Sequence, residues 1–426
     1  MALTGRAATL ALLGALAIAT ARFEIIVVIV DGLLITAIAA DVLLAAPVRS
    51  LRLSRGGDTR VRLGETATIT LTILNPGRAL AGQVRDAWPP SAGAEPARMD
   101  VTVPSGGQAS LSLSLTPARR GDCVADRVTI RSVGPLGLAG RQRSVRVPWT
   151  VRALPPFRSR RHLPGKLAQL RELDGQHRAV RPGQGSEFDS LREYVIGDDV
   201  RSIDWRSTAR RHEVLVRTWR PERDRRIVMV LDTGRTSAGR VAGYPRLDAA
   251  MDAVQLLTAL ASRAGDRVDL IAADRVLRTR VLAPPRNSAL ASVTDAMASL
   301  EPELTESDGR LLASTVLTHA RRRCLVVLFT DLNASVSLLP EFHMVAARHE
   351  LLVGAVADPA VATLAAARSD AASVYGAAAA SRARLERERV AGELVRLGAT
   401  VVDAPPESLP SALADAYLSL KGAGRL

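Results

Sequence analysis

Arg226–Ser237 reads RIVMVLDTGRTS. An unbroken apolar run climbs to an aspartate, and a loop bearing glycine and hydroxyl groups follows. Apolar strands without alternation are those buried on both faces of a parallel sheet. The pattern recurs as RVDLIAAD, LVVLFTD, LLVGAVAD and ATVVDAPP, with helical stretches such as RLDAAMDAVQLLTALASRAG between. Strands alternating with helices predict a Rossmann-like α/β domain over residues 226–426.

Open α/β sheets hold ligands at the carboxyl ends of their strands, where Asp232 and Asp331 fall. Mg²⁺ takes oxygen ligands in octahedral geometry and keeps several waters. Asp232, Thr236 and Asp331 are the candidate ligands, with Thr305 available from a third loop. The alternative is that these aspartates cap loops and helices. Aspartyl phosphotransfer needs a second carboxylate two residues on, where this chain has Gly234. The sequence contains no G-x-x-x-x-G-K-[ST] loop, no G-x-S-x-G elbow and no H-E-x-x-H pair, and only 6 histidines. No enzymatic activity is expected.

Upstream, the organisation changes three times. Residues 49–152 alternate with a period of two, as in TATITLTILNPG and QASLSLSLTPARRG, which predicts an Ig-like β-sandwich. Residues 153–225 hold a proline-punctuated basic linker and a dense charged box. Residues 1–48 carry two apolar runs, Ala7–Ala21 and Ile25–Val48, which predict a two-helix membrane anchor in preference to a cleaved signal peptide. Arg49, Arg52, Arg55, Arg60 and Arg62 follow the second run, against Arg22 in the turn, so the positive-inside rule puts the other domains in the cytoplasm. Asp31 and Asp41 interrupt that run. Intramembrane carboxylates suggest function, and Asp41 could pair with Arg6.

The 426 residues carry a net charge of +14, with 47% hydrophobic and 3% aromatic residues. Almost all the positive charge is arginine. A basic chain favours anionic surfaces; without nucleic-acid-binding signatures, membrane lipid is expected over nucleic acid. Cys123 and Cys324 form no disulfide framework.

Gly183–Arg226 reads GQGSEFDSLREYVIGDDVRSIDWRSTARRHEVLVRTWRPERDRR. The interleaving of its acids and arginines suggests mutual pairing. This box closely resembles bacterial membrane proteins carrying domain of unknown function 58, with a von Willebrand factor A-like module. The matching positions include Gly185, Glu187, Phe188, Arg192, Tyr194, Gly197, Asp198, Asp199, Arg201, Asp204, Trp205, Arg210 and Arg217. The segments RRG, GPLGL and RRRCLVVLFTDL are also similar.

The resemblance implies a protein of the bacterial inner membrane that works as an adaptor with a MoxR-type AAA+ ATPase, in assembly or maturation of protein complexes. A structural envelope protein and a metal-dependent enzyme are the alternatives. The family's metal site uses Asp-x-Ser-x-Ser and a later Asp. Asp232, Thr236 and Asp331 match it, and Gly234 stands where the first Ser is expected.

Overall fold

The computed structural model describes residues 2–20, 24–180, 187–211, 213–220, 225–332 and 339–426. They divide into two compact units, Met1–Pro156 and Phe157–Leu426.

The first unit is built from short strands. Ala139–Arg146, Arg127–Val133, Leu80–Asp86 and Met99–Val103 form one antiparallel sheet, and residues 2–3 add to its edge. Arg52–Gly57, Ala67–Leu74, Gln108–Leu115 and residues 94–95 form a second. Alternate residues of Ala67–Leu74 point inward and are buried, the period-two pattern of a one-sided strand. Leu71 and Ile73 meet Val84, Val101 and Ile130 in one core. A third small sheet, Arg60–Arg62, Thr150–Leu154 and Gly121–Val124, encloses a second core with Ile69, Leu113 and Val151. Arg55 and Asp86 form a buried ion pair, with the Arg55 guanidinium over the Trp88 ring.

The N-terminal segment overturns the membrane anchor and the inner-membrane placement. It contains helices α1 (Gly5–Thr20) and α2 (Glu24–Leu44), yet among the described residues no helix is long and apolar enough to cross a membrane. At about 1.5 Å per residue, the 16 residues of α1 fall short of a hydrocarbon core of about 30 Å.

Both ends of the segment are instead stitched to the β-rich unit. Ala2 and Leu3 pair with Gly140 and Ala139. The last turn of α2 docks on the GPLGL loop: the fully buried Asp41 carboxylate accepts the backbone N–H groups of Leu136 (2.8 Å), Leu138 (2.7 Å) and Ala139 (2.7 Å). A Cβ on Gly134 would run into the Asp41 side chain, so glycine is needed for this approach. Asp41 therefore organises a loop, and makes no ion pair with Arg6 among the described residues. Asp31 lies exposed on α2.

The second unit is built on a six-stranded sheet: β1 (Arg226–Asp232), β2 (Arg267–Ala273), β3 (Leu277–Val281), β4 (Leu325–Phe329), β5 (Glu350–Val356) and β6 (Thr400–Ala404). Their order is β3-β2-β1-β4-β5-β6. All neighbours are parallel except β3, which runs antiparallel at the edge. Ile227, Met229 and Leu231 face a core with helices α3 (Arg246–Arg263) and α5 (Leu409–Gly422). Val228 and Val230 face the other core, with Val390 and Leu394 of helix α4 (Ala371–Arg396). Both faces of β1 are thus covered, which explains its unbroken apolar run.

The only two lysines anchor the C-terminal helix. Lys166 pairs with Asp415 (2.5 Å), and buried Lys421 meets Asp266 at 2.9 Å, where the Tyr417 hydroxyl also donates.

Candidate strand-end site and charged hairpin

The strand order reverses on either side of β1. A crevice forms at the carboxyl ends of strands where such a switch occurs. Asp232 ends β1, and Thr330 and Asp331 follow β4. Thr236, Ser237, Arg246, Thr330 and Asp331 line a cleft there of about 20 Å³, room for about one water.

Asp232 is buried, and neutral donors surround its carboxylate. Oδ1 accepts from the Gly234 N–H (2.9 Å) and the Ser307 hydroxyl, and Oδ2 from the Thr330 hydroxyl (2.8 Å). Ser237 Oγ donates to the Asp232 carbonyl. Gly234 now has a physical reason: a Cβ there would run into the Ser307 hydroxyl and stand 3.0 Å from the Thr305 carbonyl oxygen. The hydroxyl that fills this space and donates to Asp232 comes from Ser307, 75 residues away. Gly234→Ser is therefore expected to lower stability, by about 1–3 kcal/mol. Gly234→Ser with Ser307→Gly should recover at least half of the loss in thermal denaturation. Equal losses in the single and double variants would rule out this exchange.

Asp331 sits in a different environment. It pairs with Arg246 (2.6 Å) and Arg387 (2.5 Å), and Arg387 also binds Asp403 (2.6 Å). Burial works against the Arg387 charge, but Asp403 and Asp331 outweigh it and hold the guanidinium above its ordinary value. Asp274, at the end of β2, binds Arg278 (2.7 Å) and the Thr233 hydroxyl (2.9 Å). Burial tends to raise its carboxyl, yet these partners lower it overall.

This donor set does not fit a divalent ion. Both Asp331 oxygens face guanidinium groups. Like unit charges about 4 Å apart repel by about 4 kcal/mol at an effective dielectric near 20, and a second positive charge on the ion doubles this. The cleft also lacks room for the waters that Mg²⁺ retains. Of the expected ligands, Asp331 and half-buried Thr236 line the cleft, Asp232 reaches it only through the Thr330 hydroxyl, and Thr305 is exposed and contributes its backbone. Among the described residues no group of three or more His, Cys, Asp or Glu is placed to hold a metal.

The charged box forms a separate structure. Glu187–Glu193 pairs with Leu215–Arg220 in a hairpin, and a short helix, Trp205–Arg211, lies between the two strands in the chain. Asp198 accepts a two-pronged contact from Arg192 (2.7 and 2.5 Å) and the Val195 N–H (2.9 Å). These donors, Arg192 foremost, hold its carboxyl below the usual range. Asp204 accepts from Ser207 N–H (2.9 Å) and Arg217 (2.9 Å), which lower it in that order. Asp199 takes the Arg201 N–H (2.9 Å). Gly197 adopts φ +111° in the turn, a conformation that favours glycine.

The Tyr194 N–H donates to the Val214 carbonyl (2.8 Å). Arg201 and Arg210 are exposed. Gly183 and Gly185 lie outside the described residues, as do the side chains of Glu187 and Phe188.

The comparisons with known proteins meet this chain in the segment that holds most of the hairpin and the strand ends. Residues 190–386 match the family described as Protein of unknown function DUF58. Uncharacterized protein Rv1480 of Mycobacterium tuberculosis (strain ATCC 25618 / H37Rv) is 30% identical over 189 residues, 44% of this chain and 60% of that protein. Uncharacterized protein Mb1516 of Mycobacterium bovis (strain ATCC BAA-935 / AF2122/97) matches to the same extent. The chain thus spans less than two thirds of these relatives' length.

Among solved structures, the CARDB domain of the PF1109 protein from Pyrococcus furiosus aligns at 14% identity over 26% of this chain and 94% of that domain, with a TM-score of 0.18. The PKD domain of an M14-like peptidase from Thermoplasmatales archaeon SCGC AB-540-F20 aligns at 16% identity over 24% and 91%, with a TM-score of 0.17. Scores this low carry no structural or functional weight.

Proposed function

We propose that this chain is an adaptor that binds a protein partner through the hairpin of its DUF58-matching segment, with the α/β unit as a von Willebrand A-like platform. The supporting observation is what the hairpin leaves exposed. Asp198, Asp199 and Asp204 are engaged by the hairpin's own arginines and backbone amides, which fixes the turns. Ile196 is 96% exposed and Trp205 67% exposed, with Val195 and Val200 also in solvent. Arg201, Arg206, Arg210 and Arg211 of the same segment are exposed as well. Tryptophan and arginine are enriched among residues that dominate binding energy, and this combination suits a partner with an acidic surface and an apolar pocket.

The strand-end cleft is far smaller than the roughly 300–1,000 Å³ of small-molecule sites, so the partner is assigned to the hairpin rather than to the cleft. The resemblance in the box makes a MoxR-type AAA+ ATPase the partner to test first, in assembly or maturation of protein complexes.

The test is affinity purification of the full chain under native conditions. Wild type should carry the ATPase. Ile196→Ser with Trp205→Ala should weaken its retention by about 30-fold or more, the scale of a 2 kcal/mol hot spot. Wild type that carries no ATPase, or a folded double variant that retains it fully, would overturn the reading.

A further inference from the structure

Arg246 is the first residue of α3. A cation at a helix N-terminus opposes the helix dipole, so this position needs a compensating anion. Asp331 supplies it at 2.6 Å. The arginine also packs against Gly239, where a Cβ would stand 3.2 Å from its Nη1. Its Nε is buried without an acceptor, so the side chain reaches inward despite leaving a donor unsatisfied. Across the same strand ends, buried Asp232 accepts from neutral donors, the Gly234 N–H and the Ser307 and Thr330 hydroxyls.

We infer that Arg246 is a tethered cation, doing at these strand ends what a divalent ion would otherwise do, so that the module holds its site together without metal. The guanidinium meets the carboxylate through Nη1, whereas a metal would need several ligands and their waters. The charge is supplied by the chain itself and cannot be removed by chelation. This inference does not depend on the adaptor reading: it concerns the cleft, and the purification test concerns the hairpin.

The experiment is calorimetric titration of the full chain with MnCl₂ and MgCl₂, with Mn²⁺ electron paramagnetic resonance as a second readout. Wild type should show no site-specific binding at millimolar ion, and EDTA should not shift its melting temperature. Arg246→Met should gain Mn²⁺ affinity at least tenfold, and the gain should vanish in Arg246→Met with Asp331→Asn. Arg246→Lys, which keeps a cation, should behave as wild type. If Arg246→Met does not fold, Arg246→Gln replaces it, and the wild-type titration decides independently. Wild-type Mn²⁺ binding abolished by Asp232→Asn or Asp331→Asn would overturn the inference, as would a folded Arg246→Met without any gain.

Discussion

Replacing Asp41 with alanine is expected to destabilise the β-rich unit by about 3–5 kcal/mol. Three backbone N–H groups lose their acceptor at once, those of Leu136, Leu138 and Ala139. A buried donor left unsatisfied costs about 1–3 kcal/mol, and water entering the gap recovers part of the sum. Asp41→Asn should also cost stability, because its amide NH₂ would face donors rather than acceptors. The chain has two units and need not unfold in one step. The measurement is therefore hydrogen exchange of the 134–140 backbone together with the denaturant midpoint of the first unit. A loss below about 1 kcal/mol, with unchanged protection of that loop, would show that Asp41 does not organise it.

Asp331→Ala is expected to cost the α/β unit about 3–5 kcal/mol, the range for breaking a buried ion pair from one side. The variant leaves Arg246 and Arg387, both largely buried, without their shared carboxylate. Arg387 keeps Asp403, so Arg246 should lose more. Adding Arg246→Met to Asp331→Ala should restore part of the loss, since it removes the stranded charge. Many binding residues are held at the expense of stability, and removing them stabilises the fold. A neutral or stabilising Asp331→Ala would therefore discard the structural ion pair and return Asp331 to the ligand role read from the sequence.

The strands of both units were legible because their signal is local. RIVMVLD is unbroken where both faces are covered, and TATITLTIL alternates where one face is. The pairing within the charged box was also legible. Arg192 and Asp198 are 6 residues apart, so a single tight turn brings them together. The N-terminal apolar runs misled for the opposite reason. Hydropathy reads a helix of apolar residues alike wherever it lies, and it could not register that Asp41 would be taken up by a loop 95 to 98 residues away.

At the strand-end site the two aspartates were visible, but Ser307, Thr330, Arg246 and Arg387 were not. A hydroxyl or an arginine in a loop has no distinctive pattern until the fold says what it faces. GPLGL offered one usable signal, since a glycine beside a glycine-bounded turn marks a place where another backbone element comes close.

By itself, then, the sequence determined the alternation of strands and helices and the mutual pairing of acids and arginines in the charged box, because periodicity and short spacing act between near neighbours. Only the tertiary structure decided what the aspartates do. Arg246 and Arg387 meet Asp331 from 85 and 56 residues away, and the sheet's reversal at β1 is what brings them to one cleft. Charges that distant interact only after the chain has folded, so their meaning is set by topology and not by order along the chain.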